Sequence, residues 1–223
     1  MINPEEVYFF ESDVHELEEF ILFCVAVAGK NASTQSRLLH KLLYEYMHVD
    51  FCKDHGWMIT CLLDLPDPRL YGGPVEKDSP FERLRFLERE GLLGQFIRHS
   101  KLGQYNKIER SYRELIKSNI CLKTCSVEEL ESIHGIGMKT SRFFLLRTRP
   151  NLRLAVLDTH ILKYMRNEMG LENIPKATPS NPKQYARLEK IFCDHCDSLG
   201  KTVDDLDLEI WTKYSQLARG EKN

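Results

Sequence analysis

Apolar residues return with helical rather than alternating period along almost the whole chain, and this restricts its fold more than any other feature. Val14, Leu17, Phe20, Ile21, Cys24, Val25 and Ala28 form one stripe; Tyr105, Ile108, Tyr112, Leu115 and Ile116 form a second; Tyr185, Leu188, Ile191, Phe192 and Leu199 form a third. Side chains three and four apart share a helix face, so each stripe predicts an amphipathic helix with one buried side. Start signals agree. Ser79-Pro80 sets a cap before a proline at the first helical position, and Ser126-Val127-Glu128-Glu129 has capping-box spacing. Pro66 to Pro74 and Pro175 to Pro182 are breakers and predict loops. The one β-like stretch, Leu154-Ala155-Val156-Leu157, runs straight into Asp158-Thr159 and reads as an extended crossing segment ending at a helix N-cap. The expected fold class is all-α.

A chain of 223 residues can bury one large core or two smaller ones. It has no Gly/Ser-rich tract, heptad run or internal repeat, which excludes disordered, collagen-like and solenoid architectures. The longest apolar run, Phe20 to Ala28, is too short to span a bilayer, so no membrane partner is expected. The start, Met1-Ile2-Asn3-Pro4-Glu5-Glu6, lacks the basic and small-residue pattern of a secretory signal, which predicts an intracellular, cytoplasmic protein. Seven cysteines at irregular spacing then argue for reduced thiols. Cys193-Asp194-His195-Cys196 has metal-ligand spacing, but Cys121 and Cys125 match no common four-ligand knuckle with it, so packing as small hydrophobes on a helix is expected. The net charge of −2 means that any polyanion must be met by a local surface. Basic residues do gather between Lys101 and Lys163, while acids concentrate in Glu5 to Glu19 and Asp204 to Glu209.

The most informative stretch runs from Ser126 to Arg166. A short capped helix leads to Ile133-His134, then Gly135-Ile136-Gly137, and a second helix begins near Met138-Lys139-Thr140. Two glycines around one apolar residue make a tight turn that lets another backbone approach closely, with Ile136 packed inward. The second helix would present unpaired N–H groups, which suit an anion such as a phosphate. Lys139 and Asp158 are separated by that helix and the extended return, which can bring an ammonium and a carboxylate to one place. A structural helix-turn-helix carrying a surface lysine and a capping aspartate stays open as the alternative on these residues alone.

Leu130-Glu131-Ser132-Ile133-His134-Gly135-Ile136-Gly137-Met138-Lys139-Thr140-Ser141, followed by Ala155-Val156-Leu157-Asp158-Thr159-His160-Ile161, resembles the signature of the helix-hairpin-helix DNA glycosylases such as endonuclease III. Gly103-Gln104-Tyr105-Asn106-Lys107 is similar to that superfamily's upstream Gly-Leu-Tyr-Asn segment, and Ala28 to Thr34 sits where it carries a wedge loop. The matches keep their order from about Phe20 to Arg166. Two departures stand out. His134 replaces the usual hairpin proline, and the C-terminal four-cysteine iron–sulfur ligand set is missing. The second departure points away from the iron–sulfur members and toward the branch that excises oxidised purines.

The resemblance implies two helical subdomains flanking a DNA-binding cleft, expected at residues 25–150 and at 1–24 plus 151–223. It implies a monomeric base-excision-repair enzyme, associated with the nucleoid, that acts on double-stranded DNA containing a damaged base. Lys139 would be the nucleophile that leaves a Schiff base and permits β-elimination, and Asp158 would stabilise the cationic sugar and move protons. Gly135, Ile136, Gly137, Thr140, Tyr105 and His160 would contact DNA, with Asn31 and Gln104 at the positions that fill the hole left by a flipped base. Backbone carbonyls of Glu131, Ile133 and Ile136 would hold K+ or Na+, and no iron–sulfur cluster would be present. Leu206-Asp207-Leu208-Glu209-Ile210-Trp211 resembles the C-terminal Asp and Trp of archaeal 8-oxoguanine glycosylases, which makes Asp207 and Trp211 the candidate base pocket. The alternative for that pair is a core indole and a solvated acidic stretch. A non-catalytic hairpin DNA-binding module, a glycosylase for another damaged base and an all-helical interaction protein remain as rival readings.

Overall fold

The computed structural model describes residues 12–45 and 79–220, so the loop expected at Pro66 to Pro74 lies outside the described residues. The described residues hold α-helices and connecting turns, with no strand among them. The helices are α1 (Val14–Ala26), α2 (Ala32–His40, continued by a π-helical turn, Lys41–Glu45), α3 (Pro80–Arg89), α4 (Leu93–His99), α5 (Tyr105–Lys117), α6 (Val127–Glu131), α7 (Met138–Thr148), α8 (Thr159–Asn167), α9 (Pro182–Ser198) and α10 (Val203–Gly220).

Most begin where local chemistry says they should. Ser79 accepts from the Glu82 N–H with Pro80 in the first turn, and Ser126 and Glu129 form a reciprocal capping box. Asp13 and Glu16 form another at the start of α1. The stripes face inward as expected except at their outermost positions: Val14 is 45% and Leu199 47% exposed, each at a helix end that no described residue covers.

The chain forms two compact units. The first holds α1 to α5 within residues 12–124 and takes in residues 133–135; the second holds α6 to α10, within residues 125–132 and from 136 onward. These boundaries differ from the expected 25–150 and 1–24 plus 151–223. Helix α1 is buried from Leu17 to Ala26 and packs on α2, α3 and α5, so it cannot be divided at residue 24. Helix α7 sends Leu146 into the core of the second unit, so it belongs there.

That second core sets the position of the chemistry. Leu146, Ala155 to Leu157, Ile161, Leu162, Met165, Tyr185, Phe192 and Leu206 join in one buried cluster. The crossing segment forms no strand; its Leu157 and Asp158 N–H groups turn back onto the Ala155 and Val156 carbonyls, and side chains of α9 satisfy further backbone groups. The Tyr185 hydroxyl donates to the Ala155 carbonyl at 2.8 Å and accepts from the Leu157 N–H at 3.2 Å, while Glu189 accepts from the Ala155 N–H at 3.0 Å. Buried backbone groups need such partners, and these fix the height at which Asp158 emerges.

Candidate active site

The hairpin is built from opposite roles for its two glycines. Gly135 has φ +82°, and a Cβ there would run into Ser111 Oγ. Gly137 has φ −103° and open space around its Cα; it stands at the N-cap of α7 without offering a side-chain cap. The first N–H groups of α7 therefore lack an intramolecular side-chain acceptor at that cap. Ile136 is buried, as is Ile133, while Thr140 is half-buried. Where a proline would have no N–H, the His134 N–H donates to Glu114 at 2.6 Å, so a hydrogen bond to α5 holds the chain leading into the turn. That hydrogen bond, reinforced by Arg110, draws the Glu114 carboxyl below its ordinary range.

Lys139 is the second residue of α7, half-buried, with no hydrogen bond or ion pair to any described residue. This matters for an amine expected to react, because a carboxylate in direct contact would hold the proton on it. Asp158 caps α8: its Oδ1 accepts from the His160 N–H at 2.8 Å and the Ile161 N–H at 2.9 Å, and Oδ2 takes no bond from a described residue. One oxygen orients the carboxylate and the other is left over. The two side chains do not form a direct ion pair, yet both act on one neighbour. Asp207 of α10 is raised in pKa by Asp158 and lowered by Lys139, so all three stand within electrostatic reach.

Asp207 is buried rather than solvated, and so is Asp204; both bond to Arg147 of α7. The open alternative of a solvated acidic stretch therefore does not describe these two residues, since the α10 face that carries them is turned to α7. Burial pushes Asp207 up to about 7, and Asp204 up to about 6, against the lowering effect of Arg147. Trp211, one turn beyond Asp207, is half-buried. Arg147 and the burial of Asp204 are the functional features that sequence reasoning missed. The only signal was the i,i+3 spacing of Asp204 and Asp207, which puts both carboxylates on one helix side.

The other candidates are placed as follows. Asn31 caps α2, its Oδ1 accepting from the Thr34 N–H at 2.9 Å, so that oxygen is committed. Gln104 is exposed, makes no cap bond and has left-handed φ +46°, next to Lys101 at +60° and Gly103 at +70°. Non-glycine residues in that region store strain, which is often found at functional loops. Tyr105 is half-buried at the start of α5. The His160 ring stacks on Tyr214, with centroids 6.2 Å apart. Several members of the basic cluster are paired internally: Arg110 with Glu114, Arg113 with Glu88 and Glu109, Arg142 with Glu131 and Glu189, and Arg153 with Asp194 and Asp197. Cys193 and Cys196 pack in the second core, where burial pushes their thiols up to about 11 and about 12.

The family model described as 8-oxoguanine DNA glycosylase matches residues 94–201, a span that includes the hairpin, Lys139 and Asp158 but stops short of Asp207. The chain is 29% identical over 84 residues to an 8-oxoguanine DNA glycosylase/AP lyase of Fusobacterium nucleatum, covering 38% of each chain. It is 32% identical over 77 residues to the protein of that name from Thermotoga maritima, covering 34% of this chain and 36% of that one. These matches thus span less than two fifths of the relatives' length. Its fold is similar to that of the Methanocaldococcus jannaschii 8-oxoguanine glycosylase/lyase solved with DNA containing 8-oxoguanine, with TM-score 0.57 and 20% identity over 95% of this chain and 86% of that one. The 8-oxoguanine DNA glycosylase of Thermotoga maritima gives TM-score 0.58 and 20% identity over 90% and 80%. Across residues 94–201 the chain is thus similar to the family described as 8-oxoguanine DNA glycosylase, and its all-helical fold is similar to that of solved 8-oxoguanine glycosylases.

Proposed function

We propose that this protein is a bifunctional DNA glycosylase and AP lyase of base-excision repair, acting on duplex DNA and preferring 8-oxoguanine. The observation that carries this reading is the electrostatic coupling of an unpaired Lys139 and a half-used Asp158 to one buried carboxylate, Asp207. A base inside the stack is out of reach, so it is flipped out, and Gln104, exposed on its strained loop, is suited to fill the gap. Asn31 is a weaker filler because its side-chain oxygen caps α2. The hairpin amides from Gly135 to Thr140 hold a phosphate, with Tyr105 and His160 as further DNA contacts.

The neutral Lys139 amine attacks C1′ of the sugar as the glycosidic bond breaks, and the base leaves with the bonding pair and takes up a proton. The free Oδ2 of Asp158 faces the positive charge that develops on the sugar, which stabilises it, and then serves in proton transfer. Loss of a proton from nitrogen and opening of the sugar ring give a Schiff base. Removal of a C2′ proton then expels the 3′ phosphate and cuts the strand. Asp207 accepts from ring N–H groups of the flipped purine, and Trp211 offers it a stacking surface.

The reaction as written uses a lysine and needs neither an iron–sulfur cluster nor a divalent ion. A monovalent cation, K+ or Na+, fits the carbonyls of Glu131, Ile133 and Ile136, none of which accepts a backbone N–H outside the helices among the described residues. On this reading the protein works on the nucleoid, as a monomer. Competing oligonucleotides containing 8-oxoguanine, thymine glycol, uracil or an A·G mismatch test the proposal. Excision of 8-oxoguanine above the others supports it. Preference for an oxidised pyrimidine discards the Asp207–Trp211 pocket, and cleavage of none discards the enzyme.

A further inference from the structure

Resting on that reading, we propose that Arg147 is a positioning residue that keeps Asp207 an acceptor for the lesion by sharing one guanidinium between Asp207 and Asp204, so that recognition of the base carries an acid-sensitive step of its own, separate from the lysine chemistry. The geometry is a fork with one tine on each carboxylate. Arg147 Nη1 donates to Asp204 Oδ1 at 2.5 Å and Nη2 donates to Asp207 Oδ2 at 2.7 Å, with the three side chains 6%, 9% and 10% exposed. Asp207 Oδ1 receives no bond from a described residue, so an ionised Asp207 keeps an oxygen for the flipped base.

Two carboxylates on one guanidinium leave a negative charge uncompensated in a buried place, which is costly and invites a proton. The charged and titratable groups acting on Asp207 come from each element around it: Arg147 and Lys139 on α7, Asp158 at the cap of α8 and Asp204 on α10, while Cys196 of α9 senses its charge. Burial, Asp158 and Asp204 favour the neutral acid; Arg147 and Lys139 favour the carboxylate; the balance lies at about 7. Below that value Asp207 carries a proton and loses its capacity as a pure acceptor. Base recognition therefore has an acid sensitivity of its own, and that sensitivity depends on Arg147.

The test compares single-turnover excision of 8-oxoguanine with borohydride trapping at a preformed abasic site, which needs no base pocket, from about two pH units below to two above the value of about 7. The carboxyl carbon of Asp207 is followed by carbon-13 NMR in the free protein. Excision should show an acid limb near 7 over and above any loss that trapping shows in acid. Asp204→Asn removes the competing carboxylate and should move both the limb and the NMR titration to lower pH by about one unit, a tenfold gain on the acid side. Arg147→Lys keeps a charge but cannot span both carboxylates, and should move them to higher pH, with roughly tenfold slower excision at neutral pH recovered in alkali. A purely structural ion pair would move the NMR titration but not the excision limb, so it is the joint movement of the two that marks the positioning role. An Asp207 titration that stays in place in Asp204→Asn, or a limb equally present in abasic-site trapping, overturns the inference. A wild-type protein that neither excises nor traps defeats the enzymatic reading instead, and the NMR titration still decides the role of Arg147.

Discussion

Exchanging Asp158 for Asn separates the two duties of one side chain. Asn retains an Oδ1 able to accept from His160 and Ile161, and it caps helices about as well as Asp, so the fold should lose less than about 0.5 kcal/mol. The charge facing the sugar is gone, and excision should slow by at least about a hundredfold. Thermal unfolding together with single-turnover kinetics checks both halves; a variant that excises at the wild-type rate would show that Asp158 is a cap and nothing more. The placement of Asp158 at a helix cap and of Lys139 beside a glycine turn could be read from the sequence because both follow from local position, whereas the roles proposed for them came from the family resemblance. Arg147 could not. Its burial depends on what α10 brings against α7, and nothing near Arg147 in the chain reports that a pair of carboxylates 57 and 60 residues away closes over it.

At the level of the hairpin, the two glycines should respond differently to the same methyl group. Gly135→Ala meets both left-handed φ and Ser111, so it should destabilise the protein by about 1 to 3 kcal/mol in denaturant unfolding. Gly137→Ala meets neither and should leave stability of the free protein within about 1 kcal/mol, while weakening DNA binding if the proposed phosphate contact at that amide holds, because the added methyl group stands in the way of a close backbone approach. Equal stability losses in the two variants would show that the turn is held by something other than the Gly135 approach to α5. The capped starts of α3 and α6 and the apolar stripes were readable in advance, since capping and periodicity are properties of a few neighbouring residues. The support of the crossing segment was not. Leu154 to Leu157 has the composition of a strand, but Tyr185 and Glu189 supply the hydrogen bonds that a neighbouring strand would give, and their side-chain directions emerge only once α9 packs.

For the molecule as a whole, the expected pair of helical units is present but the division between them passes through the hairpin, with residues 133–135 in one and 136 onward in the other. Long-range packing of α1 and α7 decides that division, and a stripe of apolar residues does not name its partner. The reaction proposed for this protein is carried by amino-acid side chains alone. Full activity is accordingly expected in EDTA, and a purified protein with a broad absorption near about 400 nm or an EDTA-sensitive reaction would refute that part of the mechanism. The central claim, that Lys139 is the nucleophile of a Schiff-base glycosylase, meets its most direct test in borohydride trapping on 8-oxoguanine duplex DNA, with wild-type protein and Lys139→Gln side by side. The account predicts a covalent protein–DNA adduct with the wild type and none with Lys139→Gln, although the variant still binds the duplex. An adduct of equal yield from Lys139→Gln, or no adduct from the wild type, would contradict it.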